Sequence, residues 1–178
     1  MGKLSREALA HYLDTTFGKD PKTAIWEIIG DDIEDMSMEM NPDTETVKNI
    51  LGQTKTKDNG YEPTMEADPF YADPEKLLYS KLRDIALERK KGVACQTLLL
   101  EVIVEDLDAD NHLAFVQEVM VKPNSYGGDT GGFNIPFTIS EDGKRIKGYV
   151  TAQSLRDGSP AFAEGSIPPN SDTETVTS

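Results

Sequence analysis

The sequence predicts a β-rich α+β fold, a β-sandwich or barrel with one flanking α-helix. Two alternating apolar runs and a single helical stripe carry that expectation. Leu98, Leu100, Val102 and Val104 fall on one face of a period-two pattern, and Leu113, Phe115, Val119 and Val121 do the same further on. Between residues 74 and 91 the period changes: Leu78, Leu82, Ile85 and Arg89 share one stripe, broadened by Leu77 and Ala86. No repeat at a solenoid period interrupts this. At 178 residues the chain fits one domain with tails. It divides into an N-terminal arm (1–23), a β domain (24–151) and a flexible tail (152–178).

The arm reads two ways, since "SREALAHYL" offers a Ser5-capped helix and "HYLDTTF" a strand. A β arm is the favoured reading. "GKDP" turns the chain, and residues 24–29 form a short buried strand carrying the only tryptophan, Trp26. Met36, Met38 and Met40 alternate with polar residues, as on a half-buried strand; such a stripe belongs more often to a core than to a binding surface. "PDTETVKNIL" is a further strand, and residues 52–64 are polar enough to be a long loop. Three prolines between 61 and 74 permit at most an edge segment.

The helix is expected over 74–91, with Asp73 as cap, Pro74 in the first position and Gly92 as stop. The two alternating runs form a hairpin through "DADN". "GFNIPFTIS" turns Phe133, Ile135, Phe137 and Ile139 inward and Pro136 outward, an edge strand or bulge. "EDG" is a turn into "KRIKGYV", the last strand. From Ser154 onward the Ser-, Pro- and Thr-rich composition predicts a mobile tail.

The net charge is −14, from 18 basic and 32 acidic residues. A duplex-gripping protein needs clustered lysine and arginine, so that class is excluded, whereas a surface that repels nucleic acid is not. Cys95 has no cysteine partner, and His11 and His112 lack the spacing of a zinc site, so structural roles are expected for all three. The N-terminus has no apolar signal core and no run approaches a membrane span, so synthesis and assembly in the cytoplasm are expected.

Two motifs invite a chemical reading. "SYGGDTGGF" lacks the lysine and following helix of a phosphate loop, so its glycines are read as a connection between strands. Asp106, Asp108 and Asp110 occupy the first, third and fifth places of a calcium loop. Asn111 stands where its glycine belongs and Gln117 where its bidentate glutamate belongs, so a solvated hairpin turn is the better account. No nucleophile elbow, H-E-x-x-H or dinucleotide fingerprint is present.

Residues 26–82, "CQTLLLEVIVEDL" and "SYGGDTGGFNIPFTISEDGKRIKGYV" together resemble the major tail protein, or tail tube protein, of tailed phages and prophages of Gram-positive bacteria. The likeness runs from Trp26 to about Val150. "EMNPDTETVKNILG", "ADPFYADPEKLLYSKL" and "YGGDTGGFNIPF" are its most telling parts. The resemblance implies a non-enzymatic virion protein whose six subunits close into a ring by joining sheets. The rings would stack into a tube that conducts DNA during ejection, with assembly in the host cytoplasm.

It further implies that the loop Gln53, Thr54, Lys55, Thr56, Lys57, Asp58, Asn59, Gly60 and Tyr61 reaches a neighbouring ring, and that the N-terminal arm helps stacking. Implied partners are other copies of the chain, tape-measure and tail-terminator or tail-tip proteins, and DNA passing without specific binding. No cofactor, metal or membrane is implied. A tube that passes DNA must not hold it, so an acidic lumen is expected, with Glu101, Glu105 and Glu118 as candidates. Gly127, Gly128, Asp129, Thr130, Gly131 and Gly132 are the candidate subunit contact. Two alternatives stand beside this reading: a monomeric β-sandwich module binding carbohydrate or calcium, and a hydrolase with paired acids.

Overall fold

The computed structural model describes residues 2–171. Its centre is one eight-stranded sheet that curls into a half-barrel. The strands are β1 (Leu9–Asp14), β2 (Trp26–Ile29), β3 (Met38–Glu39), β6 (Thr64–Ala67), β7 (Gln96–Ile103), β8 (Asn111–Pro123), β11 (Phe137–Thr151) and β12 (Phe162–Glu164). Their order is β2-β1-β7-β8-β11-β6-β3, with β12 also on β11, and the named pairs are antiparallel. Two hairpins stand apart, β4 (Pro42–Lys48) with β5 (Thr54–Tyr61), and β9 (Gly127–Asp129) with β10 (Gly132–Asn134). Helices α1 (Leu77–Leu87) and α2 (Ala152–Arg156) complete the elements.

Both faces of the central strands are covered, which is why β7 reads as a continuous Leu98–Leu99–Leu100 run. On one face Leu13, Leu99, Val119, Val121, Phe137 and Ile139 pack with Leu78 and Leu82 of α1. On the other, Tyr12, Leu98, Leu100, Val116 and Val150 pack with Trp26, and Leu155 and Phe162 close over them. The C-terminal segment therefore completes a core.

Several sequence expectations need correction. Residues 1–23 are not simply an arm, because β1 lies between β2 and β7 with His11, Tyr12, Leu13 and Asp14 buried. Residues 52–64 are not a loop: Thr54–Tyr61 is a strand paired to β4 from Lys48↔Thr54 to Pro42↔Tyr61. "EDG" does not end a strand, since β11 continues through it with a register shift between Glu141 and Arg145, opposite Glu118. Phe133 is exposed and Pro136 buried, the reverse of expectation, because the chain breaks between β10 and β11.

The helix is shorter than 74–91. Asp73 Oδ1 accepts the Glu75 N–H in a turn before it, and the Leu77 N–H is capped from afar by Glu27 Oε2 at 2.8 Å. Arg89 lies beyond the helix with φ 55°, donating to the Ala86 carbonyl and lying 5.3 Å from the Tyr126 ring.

Residues 152–171 of the expected flexible tail are ordered. Thr151 caps α2 through the Ser154 N–H, β12 pairs with β11, and Ser171 donates to Asp110 through its N–H and hydroxyl, both 2.7 Å. Residues 172–178 lie outside the described residues.

Candidate functional site

The hairpin β4–β5 has no core beneath it. Every residue of β4 is exposed, and in β5 Gly60 alone is half-buried. A two-stranded hairpin is marginal in water by itself, so its regularity needs local causes. At the tip Asn49 supplies them: Oδ1 accepts the N–H groups of Leu51 and Gln53 at 3.0 Å, and its own N–H reaches the Gln53 carbonyl at 2.9 Å. At the base, Asn41 Nδ2 donates to the Glu62 carbonyl at 3.0 Å and to Thr64 Oγ1 at 3.2 Å, tying the hairpin to β6.

The tip presents Ile50 and Leu51 almost wholly to solvent, at 102% and 77% exposure. Beside them are Lys48, Lys55 and Lys57 against Glu45. Residues 44–57 thus carry a net +2 in a chain of net −14. An apolar, basic tip on an acidic protein is chemically suited to an acidic, apolar receptor.

The candidate lumen acids are not brought together. Glu101 faces the α1 side of the sheet and is nearly buried. It meets His11 Nε2 at 3.3 Å and Arg145 at 2.9 Å, and Arg145 also reaches Glu141 at 3.3 Å while lying over the Phe115 ring at 4.5 Å. Burial raises the Glu101 carboxyl, but hydrogen bonds from His11 and Arg145 outweigh it and leave it below the usual range. Burial raises Glu141 above its ordinary range. Glu118 points from the opposite face, where Oε2 accepts the Lys144 N–H at 3.2 Å and holds the β11 bulge. Glu105 follows β7 and is exposed.

The glycine segment is a small exposed hairpin. Asp129 Oδ1 accepts the Gly131 N–H at 2.7 Å, and a Cβ on Gly128 would overlap the Gly132 carbonyl oxygen, so glycine is required there. A strand follows it, in keeping with a connection. The Asp110 carboxylate is engaged by Ser171, whose hydrogen bonds lower its pKa. Among the described residues, no cluster of three or more His, Cys, Asp or Glu gathers as a metal site.

Sequence reasoning missed a cleft of about 530 Å³ beside β1 and β2. Leu9, Ile29, Ile33 and Met36 give it an apolar lining, and Glu7, Glu27, Asp31 and Glu34 an acidic one. Arg6 and Lys76 also border it, but Arg6 donates to the Leu9 and Met36 carbonyls and Lys76 pairs with Asp31 at 3.2 Å. His11 lines the cleft at 2% exposure, with no partner for Nδ1 among the described residues. Glu27 Oε1 is likewise unpartnered. No local motif could reveal this site, because it is assembled from segments 70 residues apart.

No family model and no curated protein matches the sequence. Solved structures do resemble the fold. A chain from the tail of an empty GTA particle, determined with C6 symmetry, superposes with a TM-score of 0.51 at 12% identity, covering 80% of this chain and 97% of that one. A sheath/tube terminator of an extracellular contractile injection system in its extended state gives 0.46 at 11% identity, covering 83% and 97%. The fold likeness rests on the first. The protein is thus a β-rich, curled-sheet chain of tail-tube-like fold.

Proposed function

We propose that the chain is a structural, non-enzymatic tail protein that assembles with itself into six-membered rings, which stack into the tube conducting DNA during ejection. The observation that carries this reading is the β4–β5 hairpin, ordered but without a core, on a fold shared with a C6-symmetric tail chain. A regular element exposing Ile50 and Leu51 gains its burial from another molecule. Thr54–Tyr61 carries the ring-to-ring contact as a strand, and the β9–β10 hairpin contributes a subunit contact. The N-terminal residues before β1 help stacking. Open sheet edges, hazardous in a monomer, are paired when a ring closes.

The net charge of −14 supports a lumen that repels DNA rather than gripping it. Glu105, the most exposed of the three acid candidates, takes that role most readily. Tape-measure and terminator or tip proteins complete the set of partners, and the setting is a virion tail assembled in a bacterial cytoplasm. Negative-stain electron microscopy of the concentrated protein tests the reading. Six-fold rings or striated tubes are expected; strict monomers across salt conditions would contradict it.

A further inference from the structure

We infer that the cleft beside β1 and β2 is the receptor for the β4–β5 tip of a second copy of the chain. This rests on the self-assembling reading above and assigns the surface that the hairpin meets. Three independent features of the cleft match the tip. Leu9, Ile29, Ile33 and Met36 offer an apolar lining to Ile50 and Leu51, whose side chains are left exposed among the described residues. Glu7, Asp31 and Glu34 border the cleft with negative charge, opposite to Lys48, Lys55 and Lys57.

The third feature is the chemistry of the unpartnered atoms. His11 Nε2 faces the Glu101 carboxylate at 3.3 Å, and its Nδ1 is left buried without a partner among the described residues. Glu27 spends Oε2 on the Leu77 N–H, and its Oε1 is left as a buried acceptor with no donor among the described residues. Carboxylate charge left uncompensated at the wall of an acidic cleft favours a cationic group beside it. A lysine ammonium flanked by aliphatic side chains supplies it, and the hairpin tip carries both.

The hairpin and the cleft also lie by opposite ends of the sheet's strand order. The hairpin is tied to β6, near one end of the strand order, and the cleft borders β1 and β2 at the other. A contact between unlike surfaces of identical chains is heterologous, the kind that propagates into rings or stacks.

Charge exchange in the full chain tests this. Lys55→Glu with Lys57→Glu, and separately Glu7→Lys with Glu34→Lys, alter exposed side chains and leave the monomer's melting curve unchanged. Each pair lowers the assembled fraction, read by sedimentation and electron microscopy, by about tenfold. Combining all four restores it. As a second measurement, Leu51→Cys in one preparation and Ile33→Cys in another form an intermolecular disulfide when mixed under assembling conditions, and neither forms it alone.

If wild type assembles while the charge pairs assemble equally well and no cross-link appears, the cleft is not the receptor and the tail reading stands. If wild type never assembles, both fail.

Discussion

The sheet and the β4–β5 hairpin are both antiparallel β-structure, held by opposite means. In the sheet, β7 is buried on both faces, so burial of Leu98, Leu99 and Leu100 sets the pairing. In the hairpin, no β4 side chain is buried, and pairing rests on the Asn49 tip network and the Asn41 anchor. The first region is complete within one chain, and the second, in the assembly proposed above, would be completed by another. The difference separates residues that make the fold from residues that the proposed assembly would use.

The sharpest contrast comes from truncating the core. Leu99→Ala is expected to destabilise the monomer by about 2–5 kcal/mol in denaturant titration, since the side chain is fully buried. Next comes the C-terminal segment. Gly148 lies against Ala163 and the Phe162 ring, so Gly148→Ala overpacks the β11–β12 contact and should cost about 1–3 kcal/mol. A chain ending before β12 that melted like the full one would return residues 157–171 to the status of a tail.

A smaller effect is expected at the ion cluster that joins β1, β7 and β11. Glu101 has a folded pKa lowered from its unfolded value. Its contribution is present above the ordinary carboxylate range and is lost as pH falls through the folded value. Glu141 has the opposite sign: its raised folded pKa gives a contribution present in acid and lost as pH rises through that value. Glu101→Gln should therefore narrow the difference in Tm between neutral and acid pH, and Glu141→Gln should widen it.

The smallest effect on stability is expected at the tip. Ile50→Ser should change monomer stability by less than about 0.5 kcal/mol because the side chain contacts solvent, yet it should impair assembly. Equal losses in both measurements would erase the distinction between the two regions.

The same contrast explains what was legible in the sequence. The alternation of Leu98, Leu100 and Val102 and the stripe Leu78, Leu82 and Ile85 announce burial, so the β-rich class and the helix were readable. Thr54–Tyr61 has no buried face and hence no apolar period, so its strand looked like a loop. β12 is three residues long and owes its place to Phe162 over Gly148, a contact between distant segments. "EDG" looked like a turn because a bulge and a turn use the same residues; only Glu118 across the ladder decides between them.

The candidate site divides along the same line. The hairpin residues were read from the resemblance as a loop reaching a neighbouring ring, and the structure makes them a strand paired to β4. Glu101 and Glu118 were assigned to one acidic surface, but the ladder places them on opposite faces. The His11–Glu27 cleft depends on β1 joining the sheet interior, which an ambiguous N-terminus could not disclose.

Hydrogen exchange at single-residue resolution tests most directly whether the hairpin is completed by a second copy. The β7 and β8 amides should be protected in both the free and the assembled protein, whereas those of 44–61 should exchange rapidly when free and slowly once assembled. Equal protection of 44–61 in the two states would contradict the account.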